Sequence, residues 1–86
     1  MKENGKMTIF VKINKNNNIK GSKKYEGNFK NGLKDGNGIE YYNNEVIKYQ
    51  GEFKNDMRNG KGVEYNEKGK ITNYGIWIDD NFCKKI

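Results

Sequence analysis

The stretch that decides the fold is YEGNFKNGLKDGNGIEY, residues 25–41, which returns as YQGEFKNDMRNGKGVEY at residues 49–65. The two segments align without a gap, Tyr25 with Tyr49 and Tyr41 with Tyr65, and a partial third unit, NYGIWIDDNF, begins at Asn73. Self-similarity at a fixed period is the sequence signature of a repeat architecture. The sequence therefore predicts an array with two full units, 25–48 and 49–72, and a shorter one at 73–82.

Within each unit the side chains alternate with the period of a β-strand. Tyr25, Gly27 and Phe29 fall on one face, whereas the residues between them are polar. The stretches KNGLKDG (30–36) and KNDMRNG (54–60) are rich in residues that tolerate positive φ, which predicts that they close hairpins. GIEYY and GVEYN then form the second strands. The fold is predicted to be all-β, a single antiparallel meander of β-hairpins in a solenoid-like sheet.

The glycines divide into two groups. Glycine weakens a strand unless something needs the space that a side chain would fill, so we expect an aromatic ring from an adjoining strand over Gly27, Gly51 and Gly75. Because of this expected contact, Gly51→Val should be far more damaging than changes at neighbouring surface positions. The remaining glycines of the first unit are assigned to hairpin geometry: Gly32, Gly36 and Gly38.

The N-terminal segment 1–24 carries the whole excess of positive charge. It contains seven lysines and one acid, a balance of +6, whereas residues 25–86 contain ten basic and ten acidic residues. MTIFVKI followed by NKNNN predicts a basic capping hairpin over residues 7–22, within this segment. At the other end FCKKI is either a last short strand or a frayed tail, and residues 83–86 are assigned to a tail. An anionic partner is expected at the N-terminal segment; the alternative is a solvated basic end that only helps solubility.

The residue types present exclude most kinds of catalytic, metal-binding and nucleotide-binding site. The chain has no histidine and one cysteine, so imidazole catalysis and zinc sites are not expected, and no glycine motif fits a nucleotide or calcium loop. Glu40 and Glu64 recur because the unit recurs, which does not indicate a catalytic pair. The aromatics follow the strand period, and nucleic acid is therefore not expected as a partner. We predict no cofactor, no metal and no enzyme activity.

The motifs YEGNF with GNG, YQGEF with GKG, and YGIW resemble the MORN repeat (membrane occupation and recognition nexus). Three positions depart from the family pattern: Asp35 and Asn59 replace a usual histidine, and Asp56 replaces a usual turn glycine. The resemblance implies a scaffold in membrane-linked, cytoskeletal or ciliary assemblies, with proposed binding of anionic lipids. With a single cysteine, no signal peptide and no long apolar run, a cytoplasmic location is expected.

These observations favour a non-catalytic scaffold or adaptor that binds another protein or assembles with itself. A single sheet with one apolar face needs a cover, which could be a second copy, the curling of the sheet, or a partner segment. Binding is expected through the exposed strand edges and through a row of aromatics along one face. The predicted protein-binding residues of this row are Tyr25, Phe29, Tyr41, Tyr49, Phe53, Tyr65 and Trp77. The alternative is an anionic-phospholipid module, whose predicted lipid-binding residues are Lys12, Lys15, Lys20, Lys23 and Lys24. A third class, a regulatory repeat domain acting in trans on an enzyme, stays open.

Overall fold

A computed structural model describes the backbone of residues 4–11 and 22–86, and the side chains of residues 24–86. The strands are β1 (Asn4–Val11), β2 (Ser22–Lys30), β3 (Leu33–Tyr41), β4 (Ile47–Lys54), β5 (Met57–Tyr65), β6 (Ile71–Ile78) and β7 (Asn81–Lys85). They form one sheet in sequence order, and every neighbouring pair is antiparallel. The molecule measures 40 × 39 × 15 Å, and its shortest dimension is the thickness of one sheet with its side chains. The predicted all-β antiparallel meander is confirmed.

Short and long connections alternate along the meander. The turns at 31–32, 55–56 and 79–80 have two residues each, and both residues of each turn have positive φ, between 48° and 80°. This is the geometry of a type I′ hairpin turn, whose twist matches that of the flanking strands. Longer loops at 42–46 and 66–70 join one hairpin to the next.

The hairpin turns are shorter than the sequence pattern indicates. LKDG and MRNG, expected to belong to the turns, are the first residues of β3 and β5. Gly36 and Gly60 have φ values of 97° and 111° and lie within these strands, where the register between strands shifts. The glycine that turns the chain is Gly32; Gly36 and Gly38 are strand residues.

Aspartates at the turns hold adjacent hairpins together. The Asp56 backbone N–H donates to the Lys34 carbonyl, and the Asp56 carboxylate Oδ1 accepts the Lys34 N–H at 2.7 Å. Asp80 makes the same two bonds to Arg58, with its Oδ1 at 2.8 Å from the Arg58 nitrogen. The aspartate that replaces the family's turn glycine therefore fastens each hairpin to the preceding one.

The N-terminal strand β1 pairs with β2, so its partner is the first strand of the first repeat. The predicted strand within MTIFVKI is thus present over Met7–Val11 and begins earlier, at Asn4. Its predicted turn NKNNN and the start of IKGSKK lie outside the described residues. The division into segments 1–24, 25–82 and 83–86 stays a prediction.

A row of glycines crosses five strands of the sheet. The register aligns them as neighbours, in the order Gly27, Gly38, Gly51, Gly62 and Gly75. Since no side chain rises from this row, aromatic rings can lie directly on the backbone. The row forms the floor of the core.

The rings do not lie where the sequence analysis placed them. The Tyr25 ring covers Gly38 and the Tyr49 ring covers Gly62, each glycine belonging to the strand next to the tyrosine. At Gly51 the space is taken chiefly by the neighbouring backbone: an added Cβ would lie 2.5 Å from the Gly62 Cα atom. The expectation of a ring from an adjoining strand over Gly27, Gly51 and Gly75 was therefore wrong, because neighbouring backbone takes the space at all three, although Gly51 is as crowded as expected.

Candidate functional site

One face of the sheet, here called the aromatic face, carries a continuous row of rings. They contact each other in the order Phe29, Tyr25, Phe53, Tyr49, Trp77 and Phe82, with centroid distances of 5.1–5.5 Å. The first four contacts are edge-to-face, at interplanar angles of 80–88°. Edge-to-face packing brings the positive edge of one ring against the negative face of the next and adds to the gain from burial.

Four of these rings are inaccessible to solvent. Tyr25, Tyr49, Phe53 and Trp77 have exposed fractions of 2%, 0%, 4% and 3%. Their polar atoms are paired as well: the Tyr49 hydroxyl donates to the Glu52 carbonyl at 3.1 Å, and the Trp77 Nε1–H donates to the Gly62 carbonyl at 3.1 Å. These side chains are the core of the molecule.

Two cations from the second strands of the repeats lie over this row. The Lys34 Nζ atom lies 5.4 Å and 5.3 Å from the ring centroids of Tyr25 and Phe53. The Arg58 guanidinium carbon lies 4.4 Å and 4.9 Å from the centroids of Tyr49 and Trp77. A cation over a ring face is attracted by the ring quadrupole, and the methylene stem of the side chain covers apolar surface.

Carboxylates complete this layer. Glu40 Oε2 accepts from Lys34 Nζ at 3.2 Å, and Glu40 Oε1 accepts from Arg58 Nη2 at 3.3 Å. Arg58 Nη1 also donates to Glu64 Oε2 at 3.1 Å. The aromatic face therefore has a cover built from its own chain, and the expectation that only a partner, a second copy or curling could cover it is corrected.

The burial of the tyrosines changes their acidity. Burial raises the pKa of Tyr25 to about 12, and the charge of Glu40 acts in the same direction. Burial also raises the pKa of Tyr49 to about 12, against the opposing effect of Arg58. Both hydroxyls are thus held neutral across the physiological range, as a core requires.

Glu64 is acidic despite its partial burial. Burial disfavours its charged form, but hydrogen bonds from Asn73, Arg58 and Thr72 outweigh that effect and lower the pKa of the carboxyl below its ordinary value. Asn73 occupies the repeat position of Tyr25 and Tyr49 and donates from Nδ2 to Glu64 Oε1 at 2.8 Å. Glu64 therefore accepts hydrogen bonds from three neighbouring side chains, which is typical of a structural carboxylate.

The predicted protein-binding residues do not all lie on one face. Tyr41 follows Glu40, which is on the aromatic face, and the Tyr41 hydroxyl donates to Glu26 Oε1 at 3.1 Å on the opposite side. Tyr65 follows Glu64 in the same way. Tyr41 and Tyr65 thus belong to the other face, here called the second face, and the row of seven aromatics on one face is corrected. The binding role of these residues stays a prediction.

The second face carries the large apolar side chains that remain exposed on β6. Ile71 pairs with Tyr65 and Tyr74 pairs with Val63, which places both on this face; Ile78 lies two positions beyond Ile76 along the same alternation. The exposed fractions of Ile71, Tyr74 and Ile78 are 60%, 50% and 51%. Sequence reasoning missed them because it followed the repeated aromatics: Tyr74 and Ile78 occupy positions where the units differ, and Ile71 repeats Ile47 outside the aromatic pattern.

Of the predicted lipid-binding residues, only Lys24 has a described side chain, and it is exposed. It lies with Lys34 and Lys48 around a shallow depression of about 250 Å³ that also contains two carboxylates, Glu40 and Asp56. Lys12, Lys15 and Lys20 lie outside the described residues, and Lys23 is described only as part of strand β2. The lipid-binding role stays a prediction.

Among the described residues, no group of three metal-ligating side chains is close enough to hold an ion. Cys83, in the same part of the chain, is exposed and has a free thiol. The described segments also contain no helix long and apolar enough to cross a membrane. Two features of the site could have been found in the sequence: Lys34 with Arg58, and Glu40 with Glu64, recur in the repeat, and their recurrence indicates a shared structural role.

Comparison with known proteins agrees with this geometry. The family model described as MORN repeat matches residues 25–45 and 49–71, the two hairpin units whose rings and glycines form the core. No curated protein and no solved structure matches the chain significantly. MORN repeats generally take part in protein or membrane interactions and are generally non-catalytic. The two matched segments cover half of the sequence, and the chain belongs to the MORN-repeat family.

Proposed function

We propose that the chain is a non-catalytic scaffold or adaptor, which binds another protein or assembles with itself through the surfaces its single sheet leaves exposed. The membership in the MORN family supports this function class. The observation that carries the proposal is the contrast between the two faces: the aromatic face is sealed by Lys34 and Arg58, whereas β6 presents large apolar groups to solvent on the second face.

The exposed groups on the second face have the character of an interface. Tyr74 and Ile78 lie on one strand, half exposed, in a chain of which only 33% is hydrophobic. Contiguous exposed apolar side chains next to polar ones are typical of protein-interaction sites, and tyrosine is enriched there because it combines a large apolar ring with a hydroxyl. The proposed interface is centred on Tyr74, Ile78 and Ile71.

Affinity capture with matched variants tests this proposal. Phe53→Ala or Trp77→Ala would remove core rings and confuse unfolding with lost binding, so the informative double variant is Tyr74→Ser with Ile78→Ser. Its control is Leu33→Ser, which replaces an exposed apolar residue, 37% accessible, on β3, a strand that does not neighbour β6. Circular dichroism checks that each variant folds before capture.

We expect a specific partner to be retained by the wild type and the control and lost by the Tyr74/Ile78 variant. Loss from both variants would place the interface elsewhere. A chain that captures no partner and stays monomeric at every concentration would contradict the scaffold function. The same function class fits a cytoplasmic or cytoskeleton-associated location, which stays a prediction.

The membrane alternative rests on the charge of the N-terminal segment 1–24. Each lysine near an anionic membrane is worth on the order of 1 kcal/mol, so five could give weak attachment that salt abolishes. Sedimentation with vesicles containing phosphatidylserine, at low and high salt, separates the two proposals. Absence of binding at low salt would overturn the membrane alternative and leave the scaffold proposal unaffected.

A further inference from the structure

The last described strand, β7, ends the sheet with an open edge. Its residue Phe82 pairs with Trp77 as Lys34 pairs with Phe29 and Arg58 with Phe53. At Lys34 and Arg58 the backbone N–H and C=O point away from that partner and bond to the next hairpin. The equivalent groups of Phe82 therefore point out of the sheet, ready to pair with another strand.

The charges along this edge are arranged so that the strand complements itself. The segment reads Asp79, Asp80, Asn81, Phe82, Cys83, Lys84, Lys85, with both aspartates and both lysines exposed. If a second copy of the segment runs antiparallel with Phe82 opposite Phe82, the acidic end of each strand lies beside the basic end of the other. A shift of register at Cys83 displaces these pairs by about one residue without changing their sign.

The row of rings on the aromatic face ends at Phe82, on β7. Phe82 lies 5.2 Å from Trp77 and is only partly buried, so the row is accessible at its β7 end, as it is at Phe29 at its other end. Directly opposed residues of an antiparallel pair lie on the same face. Two opposed Phe82 rings would therefore join the aromatic rows of the two copies and cover the exposed end of each.

We propose that two copies of the chain form a two-fold symmetric dimer by antiparallel pairing of β7 with β7, centred on Phe82. The inference rests on the proposed function and names one partner, a second copy. Pairing of β7 with a second copy's β1 is a poorer candidate, because β1 runs in the same direction as β7 in this seven-stranded meander. A second copy's β1 would thus pair in parallel or turn its aromatic face to the opposite side.

The first test measures the solution mass by sedimentation equilibrium over a range of concentrations. Lys84→Glu with Lys85→Glu places four like charges at each end of the pairing, and we expect the dimer dissociation constant to rise by roughly tenfold or more. The matched control, Lys30→Glu with Lys54→Glu, makes the same change of charge at exposed positions of β2 and β4. We expect this control to dimerise like the wild type.

The second test reads the register with cysteine cross-links. In the proposed pairing Asn81 lies opposite Cys83 of the other copy, the residue at which the register shifts, and we expect their Cα atoms to lie within the range of about 4.4–6.8 Å that a disulfide spans. Asn81→Cys should therefore form a covalent dimer under mild oxidation, seen on a non-reducing gel, whereas the wild type with Cys83 alone should not.

A wild type that is monomeric at all concentrations would overturn this inference, while partner capture through Tyr74 and Ile78 would still support the proposed function. Equal cross-linking by the wild type and Asn81→Cys, or equal weakening by both charge variants, would also overturn it. Dimerisation without any captured partner would support β7 pairing and contradict only the second-face interface.

Discussion

Tyr49 is the most completely buried large side chain of the described residues, and a tyrosine at this position serves two purposes. Its ring lies on the backbone of Gly62, and its hydroxyl donates to the carbonyl of Glu52, three residues along its own strand. A phenylalanine would keep the ring and leave that carbonyl without this donor. The repeat therefore depends on tyrosine for packing and for hydrogen bonding.

The raised pKa of Tyr49 predicts a loss of stability at alkaline pH. In the unfolded chain tyrosine deprotonates near pH 10, whereas in the folded chain its pKa is about 12. Between these values the unfolded state binds fewer protons, so the free energy of unfolding falls as pH rises, by about 2–3 kcal/mol for a shift of this size. Below pH 10 the protonated Tyr49 makes its full contribution to the free energy of unfolding.

The variant Tyr49→Phe isolates this effect. At pH 7 we expect it to cost about 1 kcal/mol, because the hydroxyl bond to Glu52 is lost. Urea unfolding between pH 8 and pH 11.5 should show a smaller decline for the variant than for the wild type. Parallel curves would show that Tyr49 does not titrate with a raised pKa.

Gly51 tests the backbone contact beneath the rings. An added Cβ would lie 2.5 Å from both the Gly62 Cα atom and the Lys61 carbonyl oxygen, and neither can move without opening β4 from β5. We expect Gly51→Ala to destabilise the chain by about 3 kcal/mol. Gly5→Ala is the matched control, since nothing lies within 4 Å of that position, and should change stability by about 0.5 kcal/mol or less. Equal effects in urea unfolding would refute the proposed crowding.

At the scale of the element, the two repeats hold their rings with different cations. Lys34 bonds one carboxylate, whereas Arg58 bonds both Glu40 and Glu64 and lies closer to its two rings. A guanidinium is planar and can stack and form several hydrogen bonds in a fixed geometry, which an ammonium cannot do. The second repeat therefore uses the stronger of two equivalent arrangements.

A reciprocal exchange of these cations measures the difference. We expect Arg58→Lys to cost about 1–2 kcal/mol, because the bond to one carboxylate and the stacking on Tyr49 and Trp77 are lost. Lys34→Arg, at the corresponding position of the first repeat, should be neutral or stabilising. Thermal and urea unfolding of both variants give the comparison; equal losses would show that packing of the stem, and not the head group, is decisive.

The hairpins could be predicted from the sequence, whereas their cover could not. The return of the Tyr25 segment at Tyr49 and the alternation around Tyr25 and Phe29 suffice for strands, turns and a meander. Which neighbour occupies the space above a glycine depends on the register between strands, and register is set by tertiary pairing. The role of Lys34 and Arg58 in covering the rings was missed, because a charged side chain is ordinarily assigned to the surface. Only the structure shows that the stems of these side chains lie on the rings.

The second-face residues show a related limit. Tyr41 and Tyr65 were grouped with Tyr25 and Tyr49 because all four are aromatic and recur at the same spacing. Their separation follows from the neighbouring glutamates, whose side chains turn toward the aromatic face and force the tyrosines to the other side. Side chains alternate along β3, so a pairing of Glu40 with Tyr25 on the aromatic face places Tyr41 on the second face.

At the scale of the whole molecule, every described strand pairs only with its neighbours in the sequence. The core is a line of ring contacts, and each cation spans one junction between repeats. Such a chain is one-dimensional: its stability is close to the sum of the units and their junctions. Adding a unit should therefore extend the sheet without disturbing it.

Duplicating residues 49–72 between positions 72 and 73 tests this additivity. In the longer chain the first Arg58 would lie over Tyr49 and the new copy of Phe53, as Lys34 does over Tyr25 and Phe53, and the second would keep Trp77. Each turn aspartate would still fasten the hairpin before it. We expect the free energy of unfolding and the urea m-value to rise, the latter by roughly a quarter, since one unit is added to a chain of 86 residues.

The control for this experiment duplicates residues 49–71, one residue fewer. Because side chains alternate strictly along a strand, a shift of one residue turns the rings of the downstream strand to the second face and the polar residues to the core. This chain should unfold at lower urea concentration than the duplication of 49–72, although the two differ by a single threonine. If both duplications stabilise equally, the phase of the repeat does not determine the fold, and the register of the glycine row cannot be what positions the core.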